Sequence, residues 1–287
     1  MKKLKRPVRT RRQAERARGP RPRFGPGARI ALALGLAALI LAFAVIDPIA
    51  VGWQRTLPPA VVQPFGDITH LGLAGAILWP TGIATILCLM LSRLEILRAA
   101  RATIAEIQMR LMLLFLAVAV PGLVATGLKR VVGRLRPPAF DLEGHLAFSP
   151  FSLKWIANGF PSGHATAAFA TAVALGALWP QARAPLFALA GLIAASRSVL
   201  GSHYPSDAIG GAIIGALLAA LVVRAFAARR RGLSVDAEGA VVPMPGPSAR
   251  QLAALAGAIR DALRPGGPRQ KKRAANRSAR RGNRAGD

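Results

Sequence analysis

The chain has 287 residues, 53% of them hydrophobic, and a formal net charge of +27 at pH 7. Its apolar residues fall in long uncharged blocks rather than in alternating or helical-period patterns, which excludes an ordinary soluble globular domain and points to an all-α, polytopic membrane protein. The single cysteine, Cys88, excludes an intrachain disulfide, and its place in an apolar run suggests packing rather than thiol chemistry.

Residues 1–27 form a basic tail, rich in Arg with Pro and Gly, and are expected to lack stable structure. A first apolar run covers residues 30–46. Its basic leader and the Ala42-Phe43-Ala44 sequence also fit a cleaved signal peptide, but a leader of 29 residues is long for one. Further runs lie at 71–91, 111–128, 165–180, 184–195 and 208–223. A spanning helix needs about 20 residues, so the fourth and fifth runs reach that length only when extended back to Pro161 and forward to Tyr204. The expectation is a bundle of six transmembrane helices over residues 28–228. Pro80 and Pro121 would kink the second and third, and Gly211 and Gly215, with Gly210 adjacent, give the sixth a close-packing face. His70, ahead of the second span, reads as an interfacial bystander.

Residues 229–287 make a second basic tail. Within it, residues 248–264 set Leu252, Leu255, Ile259 and Leu263 on one face, with Ser248 as candidate N-cap, a helix suited to the inner leaflet. Residues 265–287 are expected to be unstructured. Charge alone would allow nucleic-acid binding, but a membrane-tethered basic tail more often serves topology and lipid contact, so no nucleic-acid partner is expected.

Charge sets the orientation. Of the 39 Lys and Arg residues, 12 lie in residues 1–29 and 15 in residues 224–287. Lys and Arg are retained on the cytoplasmic side, which places both termini there. Arg93, Arg98, Arg101 and Arg110, between the second and third spans, agree. Residues 129–163 then face outward, yet carry Lys129, Arg130, Arg134, Arg136 and Lys154 on the side where cations are scarce.

Three helix ends explain that exception. The third span leaves through Lys129, six residues and Arg136-Pro137; the fourth is entered through Pro161-Ser162-Gly163-His164; and Ser196-Arg197, His203 and Asp207 lie between the fifth and sixth. Lys129, Arg136 and Arg197 supply three cations for a phosphate, with Arg able to fork onto two oxygens. Pro161 at the first helical position would leave the N–H groups of Ser162, Gly163 and His164 unpaired, an anion seat at a positive dipole end. Gly163 admits close approach of the oxygens and Ser162 adds a hydroxyl. Asp207, four residues after His203, can hold the His203 Nδ1 proton and leave Nε2 free to attack. His203 therefore reads as nucleophile and His164 as general acid and base. Taken singly, each cation could be snorkelling to headgroups and each histidine could be structural.

Together these residues resemble the three-part signature of the type 2 phosphatidic acid phosphatase family, without a departure at a signature position. Motif identity is confined to residues 129–207. The resemblance implies a six-helix membrane core and metal-independent hydrolysis of a lipid phosphate or diphosphate, with no cofactor. It implies the same roles for His203, Asp207 and His164, and a phosphate held by Lys129, Arg136, Ser162, Gly163 and Arg197. The expected substrates are lipids of the outer leaflet of a bacterial inner membrane: phosphatidic acid, phosphatidylglycerol phosphate, undecaprenyl diphosphate or a lipid A phosphate. The site would face the periplasm. Phosphotransfer to another lipid is an alternative, as is vanadate-dependent halide oxidation, although the haloperoxidases sharing this signature are soluble.

The loop 138–160 carries Phe140, Phe148, Phe151, Trp155 and Phe160 among few charges, which suits a lid in the headgroup zone or an interfacial anchor. Its Asp141, Glu143 and His145 lack metal-ligand spacing and read as exposed side chains. The sequence carries no signal of oligomeric state.

Overall fold

The computed structural model describes residues 25–263. The expectation of unstructured tails therefore falls outside the described residues, except at residues 25–27, where a helix has already begun at Pro26. The chain divides into two compact units, Met1–Gly82 with Arg110–Met244, and Ile83–Met109 with Pro245–Asp287.

In the first unit, α1 (Pro26–Leu41) passes through a π-helical turn, Ala42–Ile46, into α2 (Asp47–Thr56). Next come α3 (Pro59–Thr69), a 3-10 turn at His70–Gly72 and α4 (Ala74–Ser92), whose second half belongs to the other unit. Then follow α5 (Arg101–Val132), which enters this unit at Arg110, a short α6 (Phe140–Glu143), α7 (Gly163–Leu178), α8 (Arg183–Val199) and α9 (Pro205–Ala228). Proline opens α1, α3 and α9, where its missing N–H has no intrahelical partner to lose. Pro80 and Pro121 lie inside α4 and α5, which continue through them as helix.

Among the described residues, four helical stretches are long and apolar enough to cross a membrane: Pro26–Thr56, Pro59–Ser92, Glu95–Val132 and Pro205–Ala228. The expected flanks do not lengthen the other two as helix. Pro161 and Ser162 precede α7, and α8 ends at Val199 rather than Tyr204. At 16 and 17 residues these helices rise about 24–26 Å, short of a hydrocarbon core of about 30 Å. α7 has ten buried residues distributed around its circumference, the pattern of a helix enclosed by protein.

Small residues make that enclosure close. A side chain at Gly211 would overlap the Ser162 carbonyl, one at Gly215 the Thr166 carbonyl, and one at Gly210 the Phe160 ring. The Gly210, Gly211 and Gly215 face of α9 is thus pressed against the first turns of α7 and the residue leading into them, as the small-residue spacing predicts.

The all-α expectation misses one hairpin, β1 (Leu233–Val235) antiparallel to β2 (Val241–Pro243). Asp236 closes its turn by accepting the Ala240 N–H at 2.7 Å, and Leu233 is buried with Leu113, Leu178 and Phe226. Strands of three residues are too short to show a period in sequence.

In the second unit, α10 (Ala249–Leu263) is capped reciprocally. Ser248 Oγ accepts the Gln251 N–H at 3.3 Å, and Gln251 Oε1 accepts the Ser248 N–H at 2.7 Å. Leu255, with Ala258 and Ile259, packs on Leu97, Ile104 and Cys88. That part of the apolar face is covered by protein, while Leu252 remains exposed.

Candidate active site

The cations come from helix ends. Lys129 lies in the last turn of α5, and its ammonium donates to the Asn158 carbonyl at 2.9 Å. Gly133, at φ +61°, then terminates α5 in the left-handed conformation that follows many helices, and its N–H returns to the Lys129 carbonyl at 3.0 Å. Arg136 follows in an extended residue, with its guanidinium 4.2 Å from the Trp155 ring centroid and donating to the Ser202 carbonyl at 3.3 Å. Arg197, in the last turn of α8, donates to Thr69 Oγ1 at 2.7 Å. Burial, and then the neighbouring charge of Arg197, push the Arg136 guanidinium down to about 10, with Asp207 pulling the other way. Cations held this close repel one another, and a bound anion relieves that repulsion.

This geometry makes Arg136 sensitive to shape as well as charge. Arg136→Lys keeps the charge but loses the fork and the stack on Trp155. We expect kcat/KM to fall ~100-fold, the scale for losing one transition-state donor, with little change in thermal stability. A steady-state assay beside a melting curve checks this.

The anion seat differs in register from the sequence expectation. Ser162, not Pro161, adjoins the helix as N-cap, and Gly163 is the first helical residue. The Ser162 N–H is not free, since it donates to the Asp207 carbonyl at 2.9 Å. That bond exists because α9 approaches closely enough for its first turn to reach the α7 entry. The N–H groups of Gly163 and His164, in the first turn, have no carbonyl one turn earlier within the helix. Ser162 Oγ is buried with no hydrogen-bond partner. Lys129 Cε lies 4.0 Å from the position that a Cβ on Gly163 would occupy. His164 interacts electrostatically with Arg197, His203, Lys129 and Arg136, so the structure brings the three motifs to one place.

His203 sits in the connection between α8 and α9, outside both helices, with its side chain 3% exposed. Its Nδ1 is 3.6 Å from Asp207 Oδ2, slightly beyond hydrogen-bond length. The same oxygen accepts the Tyr204 N–H at 2.9 Å, the capping bond of α9. Burial pushes the His203 imidazole down to about 4, against the pull of Asp207 and with Lys129 and Arg136 adding to it. The ring is therefore neutral at pH 7, the form in which one nitrogen keeps a lone pair.

Sequence reasoning missed the groups behind this pair. Arg134, read there only as one more outward-facing cation, is fully buried and bonded to Asp47 Oδ2 and Asp207 Oδ1, both at 2.7 Å. Asp47 did carry a signal: a carboxylate at the end of an apolar run is costly unless paired inside the protein. Thr69, Asn158 and Ser206 carried none, because their roles depend on which distant residue reaches them.

The loop 138–160 is laid against the α5 exit by backbone bonds. The Leu135 N–H bonds Ala147 O at 2.9 Å, Arg136 N–H bonds Ile156 O at 2.9 Å, and Gly159 N–H bonds Arg134 O at 2.8 Å. Phe148, Phe151, Leu153 and Trp155 remain exposed. Asp141 is engaged in a two-pronged pair with Arg55, at 3.0 and 2.8 Å. His70 is exposed, and Gly72 beside it packs on His164 and Ile193. A cavity of about 320 Å³ lies among Val51, Gln54 and Arg55 of α2, Pro137, and the Leu200–Gly201 connection, next in chain to Arg136 and Ser202.

The segment that carries the three motifs has known relatives. Residues 110–231, which contain all three, match the model of the PAP2 superfamily. Two curated relatives are lipid A 1-phosphatases: one from Rhizobium johnstonii, 40% identical over 114 residues, covering 40% of this chain and 47% of the relative, and one from Rhizobium etli, 41% identical over 112 residues, covering 38% and 48%. The chain thus spans about half the length of the curated relatives it matches. The crystal structure of a transmembrane PAP2-type phosphatidylglycerolphosphate phosphatase from Bacillus subtilis aligns at 24% identity and a TM-score of 0.46, covering 67% of this chain and 92% of that one.

Proposed function

We propose that the protein is a lipid phosphatase of a bacterial inner membrane, with its PAP2 site on the periplasmic side. The observation that carries this is that Lys129 reaches the Gly163 turn, Arg136 bonds the Ser202 carbonyl next to His203, and the buried His203 bonds the Arg197 carbonyl through its N–H. In this reading Nε2 of His203 attacks phosphorus and the bond from phosphorus to the lipid oxygen breaks. His164 gives that oxygen a proton. Water then attacks the phosphohistidine as His164 takes the proton back, and inorganic phosphate leaves. The three cations and the Gly163 and His164 N–H groups offset the charge that builds on the phosphoryl oxygens. Both termini are cytoplasmic in this reading and six helices span the bilayer, α7 and α8 being completed by the non-helical residues at their outer ends.

For substrate, the reading favours a lipid A 1-phosphate, because that is the activity named for the relatives of 40% and 41% identity. The groove lined by Pro137 and Gly201, chain neighbours of Arg136 and Ser202, would take the part of the lipid next to the phosphate. The test is phosphate release by purified protein in detergent from lipid A, phosphatidic acid, phosphatidylglycerol phosphate and undecaprenyl diphosphate, with and without EDTA. Release is expected to be greatest from lipid A and unchanged by EDTA, since Lys and Arg supply the positive charge. Preference for another lipid overturns the substrate; loss of release in EDTA overturns the mechanism.

A further inference from the structure

Behind His203 lies a second polar cluster, joined to it through Asp207. The side chains of Asp47, Arg134 and Asp207 are each 0% exposed. Arg134 Nη1 donates to Asp207 Oδ1 at 2.7 Å and to Ser206 Oγ at 2.6 Å. Its Nη2 donates to Asp47 Oδ2 at 2.7 Å and to the His145 carbonyl at 3.1 Å. Ser206 closes the ring, giving its N–H to Asp47 Oδ1 at 3.0 Å and its hydroxyl to Asp47 Oδ2 at 2.5 Å. The rings of Phe43 and Tyr204 lie 4.6 and 4.3 Å from the guanidinium carbon. The π-helical turn Ala42–Ile46 delivers Asp47 to this place, and such turns recur at functional sites.

Stability is a weak account of this cluster. Desolvating each ion costs several kcal/mol, and apolar residues of similar volume commonly serve as well. Position gives a stronger one. Asp207 Oδ1 is pinned by Arg134 and Oδ2 by the Tyr204 N–H, so the carboxylate cannot turn away from His203. Asp47 takes the other half of the Arg134 fork. Without it the guanidinium would be matched by Asp207 alone, neutralising the carboxylate where positive charge develops on His203 during attack.

We propose that the Asp47–Arg134 pair is a positioning device that fixes the Asp207 carboxylate against His203 Nδ1 and preserves its negative charge. The proposal rests on His203 being the nucleophile. It assigns to Asp47, at the start of α2 and outside the segment matched to the superfamily, a part in the reaction.

Asp47→Asn keeps size and one acceptor while removing the charge. In the full chain it is expected to lower kcat for lipid phosphate release ~10–100-fold, the scale of lost outer-shell partners, with KM little changed. On an Asp207→Asn background it should cost nothing further, because its effect passes through Asp207. An equal loss on both backgrounds, or a change in KM alone, overturns the proposal. A second readout needs no substrate. The chain has four histidines, so 15N-histidine spectra can be assigned with single His variants. His203 should carry its proton on Nδ1 in the wild type and move toward the Nε2–H form in both Asp47→Asn and the smaller change Ser206→Ala. An unchanged tautomer in the folded variants also overturns it. A tautomer shift in the variants, with a wild-type protein that releases no phosphate from any of the four lipids, would instead sink the phosphatase reading and leave the positioning of Asp207 against His203 intact.

Discussion

On the proposed mechanism, His203→Ala is expected to lower phosphate release on the order of 10⁶-fold, the scale of a lost covalent nucleophile. The fold should survive, because Asp207 keeps two partners, the Arg134 guanidinium and the Tyr204 N–H. His164→Ala should behave differently. Losing the acid costs ~10²–10⁴, and a substrate with an activated leaving group such as p-nitrophenyl phosphate should recover most of that in the first step, while His203→Ala recovers nothing. The measurement is release from lipid and from p-nitrophenyl phosphate by both variants, with melting curves alongside. Recovery of His203→Ala on the activated substrate would remove it as nucleophile.

Gly211→Ala should also slow the reaction, although it adds one methyl group and removes no polar one. That methyl would overlap the Ser162 carbonyl, backbone that cannot move aside like a flexible side chain. Relief requires α9 to separate from the α7 entry. The separation strains the bond from the Ser162 N–H to the Asp207 carbonyl and displaces His203 and Asp207 from the Gly163–His164 turn. A misplacement of about 1 Å costs ~100-fold in rate, and overpacking costs roughly 1–3 kcal/mol. We therefore expect kcat to fall ~100-fold with a lowered melting temperature. Gly191→Ala is the control, since nothing lies within 4 Å of the added atom; equal effects in the two variants would refute the argument from close packing.

The two cases show why different parts of the molecule were legible to different degrees. The motif residues Lys129, Arg136, Ser162, Gly163, His164, Arg197, His203 and Asp207 could be singled out because type and spacing are properties of sequence; that they hold a phosphate is the reading proposed above. Gly211 could be read as a packing position, since small residues four apart share one helix face. Its specific contact with Ser162 could not, because that depends on the depth at which two helices cross.

Register was the commoner failure. Pro161 looked like a first helical residue, but tertiary contact with α9 takes up the Ser162 N–H and the helix begins at Gly163. α8 was extended to Tyr204 to satisfy a length rule for lipid-exposed spans, yet it stops at Val199. The expected inner-leaflet face of α10 is partly occupied, with Leu255 buried against Leu97 and Ile104.

By itself the sequence determined the membrane class, the large helices, the helix ends where chemistry gathers and the residues that match the PAP2 superfamily. Each of these follows from local quantities: hydropathy over about 20 residues, charge in short connections, and residue type at fixed spacing. Only the tertiary structure decided that Arg134 is a buried hub rather than an outward-facing cation, that Asp47 reaches it across 87 residues, and that Thr69 receives Arg197 across 128. Such pairings arise because a buried charge must find a partner wherever the packed helices offer one, and that choice is made in space rather than along the chain.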